Sequence, residues 1–254
     1  MFNTITLQAD PSSNQCASYF STSEAEGIQI EFPDSGNPRS RKVVKRSNAR
    51  KTGKIPSWKM NRMVQWESEN ELVVFRILDG DATVKAFFEQ PFKVRYVEDG
   101  DARHHFPDVL IEFLDGIEVW EIKDSQSADC PEIKKRTELL VPLFAEFEIR
   151  YRVVYVDKKS QQGTEAYSLS MLKFGRFPIS QVERESARCV FKQQKMVSWG
   201  FIMRGGLGER GRNIVGRLLL EGELTAKDQS QALLPATKIV ASSNTQSLVA
   251  EWRN

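Results

Sequence analysis

Two carboxylates and a lysine stand where two adjacent strands would bring them together. Asp108 opens one apolar run, Asp115-Gly116 separates it from the next, and Glu121 and Lys123 lie in that second run. An Asp-Gly pair between alternating apolar runs is a strong signal for a β-hairpin. Because side chains alternate along a strand, Glu121 and Lys123 share one face, and the hairpin returns Asp108 beside them. Such oxygen ligands suit a hard divalent cation, which activates water and stabilises charge on a phosphoryl oxygen.

The elements around this hairpin predict an α/β fold. Residues 63–78 contain no Gly or Pro and are apolar on more than one side, which is typical of a buried helix. Residues 84–88 and 92–97 are predicted to be strands. Pro131 is well placed to begin a helix that runs to about residue 147, and residues 149–156 form a further buried strand. We therefore expect a mixed sheet flanked by helices.

The N-terminal part of the chain contains a basic stretch. Ten Lys and Arg residues lie between positions 39 and 62, with no acidic residue among them. We predict a flexible basic arm over residues 1–50 whose cations contact DNA phosphates; the alternative is a tail that only solvates the chain. Residues 1–35 lack periodicity, and we expect them to be poorly ordered or dependent on a partner. The residues expected to contact DNA are Arg46, Arg50, Lys51, Lys54 and Lys59.

Composition and charge are those of a soluble globular protein. The chain has 254 residues, of which 40% are hydrophobic and 28% charged, and its net charge is +2. Cys16, Cys130 and Cys189 are far apart, which fits reduced thiols and does not match a zinc-binding spacing. No apolar run approaches the roughly 20 residues that a membrane helix needs, and no signal peptide is visible. We therefore expect a cytoplasmic protein with no membrane partner.

Residues 165–254 are predicted to form a small helical domain. Residues 158–164 are polar, as expected of a linker, whereas residues 181–193 and 209–221 have helical patterns. The leucines that follow, at positions 224, 233 and 234, have a spacing that resembles winged-helix segments. The alternative is a helical extension that packs on the preceding domain, residues 51–160.

Several short motifs occur in an order that resembles one nuclease family. They are Thr52-Gly53-Lys54-Ile55-Pro56-Ser57, Glu67-Ser68-Glu69-Asn70-Glu71, Glu89-Gln90-Pro91, His105-Phe106-Pro107-Asp108 and Glu121-Ile122-Lys123. The last two have the spacing of PD-(D/E)xK nucleases, and the whole series looks like the TnsA family, the endonuclease subunit of heteromeric transposases. The match covers residues 51–156, under half of the chain. It implies a restriction-endonuclease-like fold there and a small winged-helix-like C-terminal domain used for partner contact.

The resemblance assigns roles to four residues. The family's helix-borne catalytic glutamate matches Glu71 in a Ser-x-x-Glu pattern, its metal-binding aspartate matches Asp108, and its lysine matches Lys123. Glu121 fills a position that is Gln in some members, and a carboxylate there restores the restriction-enzyme pattern. The implied ligands of Mg²⁺, for which Mn²⁺ can substitute, are Glu71, Asp108 and Glu121. Gln90 matches a Gln-Pro motif of the family, and we expect it to border the active site or contact DNA.

Several neighbouring residues have more than one interpretation. Glu67 is the second choice for the helical glutamate, because a rotation of roughly 100° per residue places it on the same helix face as Glu71, while Glu69 points away. His104 and His105 are predicted to be scaffold or DNA-facing residues, with at most one directed at the site. A phosphate contact and a solvated helix face are equal alternatives for Lys134, Lys135 and Arg136.

By this resemblance, the chain is a bacterial, metal-dependent endodeoxyribonuclease that hydrolyses phosphodiesters at the 5′ ends of a mobile element. Its expected partners are double-stranded DNA at the transposon ends, an integrase-type transposase subunit and an AAA+ ATPase regulator. No sequence-reading element is visible in residues 165–254, so target choice is expected to come from a partner. Two alternatives stay open: an independent restriction or repair nuclease, and a non-catalytic DNA-binding adaptor with the same fold.

Overall fold

The computed structural model describes residues 28–33, 39–40, 51–244 and 246–253, and their contacts divide into two units. The first unit takes in the described residues up to Pro56, together with Arg62–Glu71 and Lys85–Val156. The second takes in Ser57–Asn61, Leu72–Val84 and the described residues from Asp157 onward. The sequence predicted two contiguous ranges, 51–160 and 165–254, whereas each of these units is built from several separate segments of the chain.

The first unit contains most of the strands. Its elements in chain order are β1 (Ile28–Glu31), β2 (Gly53–Ser57), β3 (Arg62–Trp66), the start of α1 (Glu69–Gly80), β4 (Val84–Glu89), β5 (Lys93–Glu98), β6 (Asp101–His105), β7 (Val109–Phe113), β8 (Gly116–Asp124), α2 (Pro131–Ala145) and β9 (Ile149–Val156). A short 3-10 helix, Ser125–Ser127, joins β8 to α2. The chain therefore alternates strands with helices, as an α/β fold requires, and the predicted fold class is confirmed at this level.

The central sheet of this unit has the strand order β4-β7-β8-β9. β7 and β8 form the predicted antiparallel hairpin, in which Val109 lies opposite Trp120. The Asp108 amide donates to the Trp120 carbonyl at 3.1 Å, so Asp108 lies beside the Trp120–Glu121 segment of β8. β9 runs parallel to β8, and Glu121 is paired with Val153. The sheet is thus mixed, and α2 is the connection between its two parallel strands.

Aromatic stacking holds α2 on this unit. The ring of Phe144 stacks on Tyr151 of β9 with a centroid distance of 5.3 Å, and on Phe92 with a distance of 5.9 Å. Phe144 and Phe92 are fully buried. Such aromatic pairs stabilise by about 0.5–1.5 kcal/mol beyond their buried area. The position of α2 along β9 is therefore fixed, which determines where its polar side chains reach.

One part of the predicted flexible arm is ordered. β1 pairs with β5 in an antiparallel register, and with β6 these strands form a second sheet of order β1-β5-β6. Ile30 is fully buried, and the ring of Phe32 meets Phe92 edge-on at 5.8 Å. The expectation that residues 1–35 are poorly ordered is therefore wrong for residues 28–33, because apolar residues alternate there as in a half-buried strand. Arg46 and Arg50 lie outside the described residues.

Two predicted boundaries are also wrong. Residues 63–78 were expected to be one helix, but Arg62–Trp66 is a strand that pairs with β2, and α1 begins at Glu69. Val64 is fully buried and Met63 is 48% exposed, so the apolar residues alternate at this point rather than follow a helical period. Residues 158–164 were expected to be a linker, but they begin α3 (Lys158–Gly175), whose N-terminus is capped by the side chain of Asp157.

The second unit is built mainly of helices. After α3 follow α4 (Gln181–Gln194), β10 (Met196–Ser198), α5 (Trp199–Met203), α6 (Gly211–Leu220), β11 (Leu224–Ala226), β12 (Lys238–Ala241) and α7 (Ala250–Arg253). The three strands form an antiparallel sheet of order β10-β12-β11. The two helices predicted from residues 181–193 and 209–221 correspond to α4 and α6. No helix in the described part of the chain has the length and apolarity to cross a bilayer.

Two glycines let α3 and α6 approach closely. A Cβ on Gly175 would lie 2.4 Å from the carbonyl oxygen of Gly216, and a Cβ on Gly216 would lie 2.9 Å from the Gly175 nitrogen. Around this contact the helices bury Leu172, Leu219 and Leu220 in the core of the unit. The two helix backbones are in direct contact here because neither glycine carries a side chain. Any other residue at these positions would hold the helices further apart.

We predict that Gly175→Ala destabilises the second unit. The new methyl group meets backbone rather than a flexible side chain, so the helices must move apart, which costs about 1–3 kcal/mol. Urea denaturation followed by circular dichroism measures the change. Ser186→Ala, on the exposed side of α4, is the control with no expected effect. Equal midpoints for Gly175→Ala and the parent chain would contradict this helix contact.

Candidate active site

A cavity of about 390 Å³ in the first unit is lined by the four residues that were predicted to be catalytic. Glu71 comes from the first turn of α1, Asp108 precedes β7, and Glu121 and Lys123 come from β8. The residues that line the cavity are Glu67, Ser68, Glu71, His104, His105, Phe106, Asp108, Glu121, Ile122 and Lys123. The lining is therefore dominated by polar side chains, with three sequence-predicted carboxylates and one lysine.

Glu71 is held by the start of its own helix. The Glu71 amide donates to Ser68 Oγ at 3.1 Å, and Glu71 Oε2 accepts from the Glu67 amide at 2.8 Å. The Ser-x-x-Glu pattern thus forms a reciprocal cap of the capping-box kind, with the glutamate reaching one residue further back than usual. Burial raises the pKa of Glu71 to about 7. The Glu67 amide and the Ser68 hydroxyl, which donates to Oε1 at 3.1 Å, act in the opposite direction. The same pattern therefore fixes the helix start and directs a carboxylate at the cavity.

The other two glutamates of this segment lie on different sides. Glu67 lines the cavity, whereas Glu69 contacts Lys51 Nζ at 3.1 Å on an exposed surface. The expected separation of Glu69 from Glu67 and Glu71 is therefore present, but its predicted reason is wrong, because Glu67 precedes the helix. Of the two alternatives for the helix-borne carboxylate, only Glu71 belongs to α1.

Asp108 and Glu121 are neighbouring carboxylates, but nearby cationic groups stabilise the charge of Glu121 more than that of Asp108. Asp108 Oδ2 accepts from the Ile122 amide at 2.7 Å. Burial and the neighbouring carboxylates of Glu121 and Glu71 raise the pKa of Asp108 well above its usual range. Burial alone would also raise the pKa of Glu121, but His105 and Lys123 hold it at about 2. Glu121 is therefore the firmly ionised member of the pair.

Three side chains surround the carboxylate of Glu121, which is only 2% exposed. Lys123 Nζ and Arg136 Nη2 contact Oε1, the latter at 3.1 Å. His105 Nε2 lies 2.7 Å from Oε2, and this contact lowers the pKa of Glu121. A buried carboxylate needs close partners of this kind to keep its charge.

His105 and Arg136 both contact Glu121. The sequence predicted at most one of His104 and His105 to be directed at the site, and for Arg136 it predicted a phosphate contact or a solvated helix face. His105 ends β6, and the Tyr151 hydroxyl lies 3.4 Å from its Nε2, while His104 is exposed and meets the ring of Phe106 edge-on. Arg136 lies on α2, whose stacking on β9 turns it toward Glu121. Lys134 and Lys135 instead contact Asp129 and Asp99, so the two lysines belong to a solvated helix face. A helical-period analysis of α2 with the sheet as its buried side could have separated Arg136 from these lysines.

The donor chemistry of the cavity fits a divalent metal ion. Glu71 and Asp108 carry raised pKa values, the latter partly because their like charges repel, and a bound cation would relieve that repulsion. Glu121 lines the same cavity, and its carboxylate oxygens are of the kind that Mg²⁺ prefers as ligands. Among the described residues, no three His, Cys, Asp or Glu side chains already converge on one point. Lys123 lies against Glu121 instead, so we expect its ammonium group to withdraw when a metal ion binds.

The residues expected to contact DNA divide into three groups. Lys51 and Lys54 are exposed. Gln90 is 2% exposed, and its main-chain amide donates to the Asp108 carbonyl at 2.9 Å. Gln90 therefore helps to position Asp108 from the protein interior and offers no surface to DNA. Lys59 Nζ donates to the Val84 carbonyl at 2.7 Å within the second unit, and burial lowers its pKa to about 8. The expected DNA contact is therefore not available to Gln90 and is weakened for Lys59.

Two arginines of the basic stretch also have internal partners. Arg62 forms a two-pronged contact with Glu89, with distances of 2.7 Å and 2.6 Å, and Arg39 lies 3.6 Å from the same carboxylate. Glu89 is only 1% exposed. Two of the ten cations in this stretch therefore neutralise a buried charge, and they are not free to contact phosphate.

We predict that Glu71→Gln stabilises the metal-free protein at pH 8. The pKa of Glu71 rises from 4.5 to about 7 on folding, so the folded state keeps a proton that the unfolded state loses between these values. Stability is therefore lost as the pH rises through this window, and the glutamine removes a penalty of about 1–3 kcal/mol above it. Urea denaturation in EDTA at pH 5 and pH 8 measures the difference, with Glu69→Gln as the exposed control. A benefit that does not grow with pH would contradict this electrostatic account.

Comparison with known proteins adds no family assignment. No protein-family model and no curated protein matches this chain. The resemblance to the TnsA family consequently rests on the order and spacing of the motifs, and the chemistry must be argued from the side chains around the cavity.

Proposed function

We propose that this chain is a metal-dependent DNA endonuclease of the PD-(D/E)xK type. The observation that carries the proposal is the common cavity of Glu71 from α1, Asp108 from the start of the hairpin, and Glu121 and Lys123 from β8. These residues have the types and the strand positions that phosphodiester hydrolysis requires. The proposal includes Mg²⁺ as the natural cofactor, with Mn²⁺ as a substitute, and double-stranded DNA as the substrate.

Each side chain has a distinct task in this chemistry. Bound Mg²⁺ supplies a nucleophilic water near neutral pH and neutralises charge on the phosphoryl group. Asp108 and Glu121 present carboxylate oxygens from opposite strands of the hairpin, and Glu71 closes the third side from α1. Lys123 can donate to the attacking water or to a phosphate oxygen once it leaves Glu121. His105 and Arg136 keep the Glu121 carboxylate in place, because both approach it within 3.1 Å.

The second unit supports a finer proposal, a winged-helix-like domain. Its elements follow in the order α4, β10, α5, α6, β11 and β12, and the sheet order is β10-β12-β11. A helix, a short strand, two helices and a β-hairpin that pairs with that strand form the arrangement of winged-helix domains. Of α6, Gly211, Ile214, Val215, Gly216, Leu218, Leu219 and Leu220 are buried. A helix so largely covered has few side chains left to read base edges in a major groove.

In the described part of the second unit, α6 is largely buried and leaves few side chains to read bases, which favours a subunit over an independent enzyme. We infer that the chain cuts the 5′ ends of a mobile element as the TnsA-like subunit of a bacterial transposase. An integrase-type subunit would then process the 3′ ends, and an AAA+ ATPase would regulate assembly. Genes for these two proteins beside this one would support the inference.

Two other functions use the same structure. An independent restriction or repair nuclease would cleave DNA without other proteins, so cleavage by the purified chain alone distinguishes it from a transposase subunit. A non-catalytic adaptor would bind DNA without cleaving it in any combination of partners. Against the adaptor, each sequence-predicted catalytic position holds a chemically competent residue that lines the cavity.

We predict that Asp108→Ala, Lys123→Ala and Glu71→Gln each reduce strand cleavage by on the order of 100-fold or more, because each removes a charge that interacts with the transition state. The assay uses supercoiled DNA carrying the element ends, Mg²⁺ and the partner subunits. Glu69→Gln is the matched control, since its carboxylate pairs with Lys51 outside the cavity. Near-parental cleavage by Asp108→Ala, with circular dichroism unchanged, would refute the nuclease assignment.

A further inference from the structure

Two unpaired cations lie against one aromatic ring in the second unit. Lys173 Nζ is 5.4 Å from the centroid of the Phe174 ring, and the guanidinium carbon of Arg212 is 5.7 Å from the same centroid. Both side chains belong to exposed residues, while Phe174 is partly buried. Neither cation has an ion-pair partner within the described ranges. Contact with the same ring therefore places both cations on one part of the surface of this unit.

The helix contact at Gly175 and Gly216 brings these cations together. Lys173 and Phe174 lie in the last turn of α3, directly before its last residue, Gly175, and Arg212 precedes Gly216 by about one turn of α6. A cation near a helix C-terminus, such as Lys173, interacts favourably with the helix dipole, whereas a cation in a first turn, such as Arg212, does not. The first turn of α6 contains no acidic residue. Fold stability therefore does not explain why arginine stands at position 212.

We call the exposed face that Lys173 and Arg212 form around the Phe174 ring the α3–α6 basic surface. Arg176 and Arg210 are close to these residues in the sequence, but they have ion-pair partners. Arg176 Nη2 lies 3.8 Å from Asp79, and Arg210 Nη1 lies 3.1 Å from Glu183. Neither arginine is therefore counted as a member of this surface.

We propose that the α3–α6 basic surface binds the sugar-phosphate backbone of duplex DNA. The choice of DNA among polyanions rests on the proposed function; the need for a polyanion rests on the unpaired cations. The surface offers charge without a means of reading sequence. Asn213, the amide side chain beside it, already donates to the Phe174 carbonyl at 3.0 Å, and two cations already contact the Phe174 ring. Contacts to phosphate alone position a protein on DNA without specifying a sequence.

The test measures DNA affinity of the full chain without cleavage. Fluorescence anisotropy with a 30-base-pair duplex in EDTA gives the dissociation constant at several salt concentrations. For Lys173→Gln and Arg212→Gln we expect weaker binding to every sequence, and a slope of log affinity against log salt that falls by about 0.9 for each cation removed. Lys192→Gln, an exposed lysine of α4, is the matched control and should leave the slope unchanged.

Stability measurements separate a binding role from a structural one. Arg212→Gln should unfold at the same urea concentration as the parent chain or a higher one, because it removes a cation from a helix N-terminus. An unchanged affinity and salt slope in the double variant Lys173→Gln/Arg212→Gln would overturn the proposal. The same result is expected if the surface binds an acidic protein instead of DNA. The binding assay is done in EDTA and does not depend on the active site, so DNA cleavage by the parent chain in Mg²⁺ would still support the nuclease proposal.

Discussion

The first unit is organised around one buried negative charge. The carboxylate of Glu121 is nearly inaccessible to water, and its neighbours are a lysine from its own strand, a histidine from β6 and an arginine from α2. Removing a buried carboxylate from water costs several kcal/mol, so these groups must be in place for the charge to persist. The packing of α2 on β9 and the pairing of β7 with β8 are therefore coupled to the state of this single side chain.

The same arrangement leaves the neighbouring carboxylates poorly compensated. Asp108 and Glu71 have raised pKa values because burial and like charges act on them without a cation of their own. A structure optimised for stability alone would replace one of them with a neutral residue. Sites that store unfavourable charge in this way are typical of functional centres, where a ligand supplies the missing compensation.

The hairpin and its register follow from the sequence, whereas the complete site does not. Alternation around Asp115-Gly116 is a local signal, and it predicts that Asp108 returns beside Glu121. The contacts of Glu121 with His105 and Arg136 depend on where β6 and α2 pack, and no short-range pattern encodes that. Local patterns also failed at Arg62–Trp66, where strand pairing with β2 overrode an apparently helical run, and at residues 158–164, where a single capping aspartate begins a helix.

We propose that Asp108, Glu121 and Glu71 together bind a divalent metal ion. Isothermal titration of the full chain with Mn²⁺ at pH 7.5 tests this directly and does not depend on partners or DNA. We expect saturable binding that is lost in Asp108→Asn, which keeps the shape of the side chain and removes its charge, and that persists in Glu69→Gln. Equal Mn²⁺ binding by the parent chain and Asp108→Asn would contradict it.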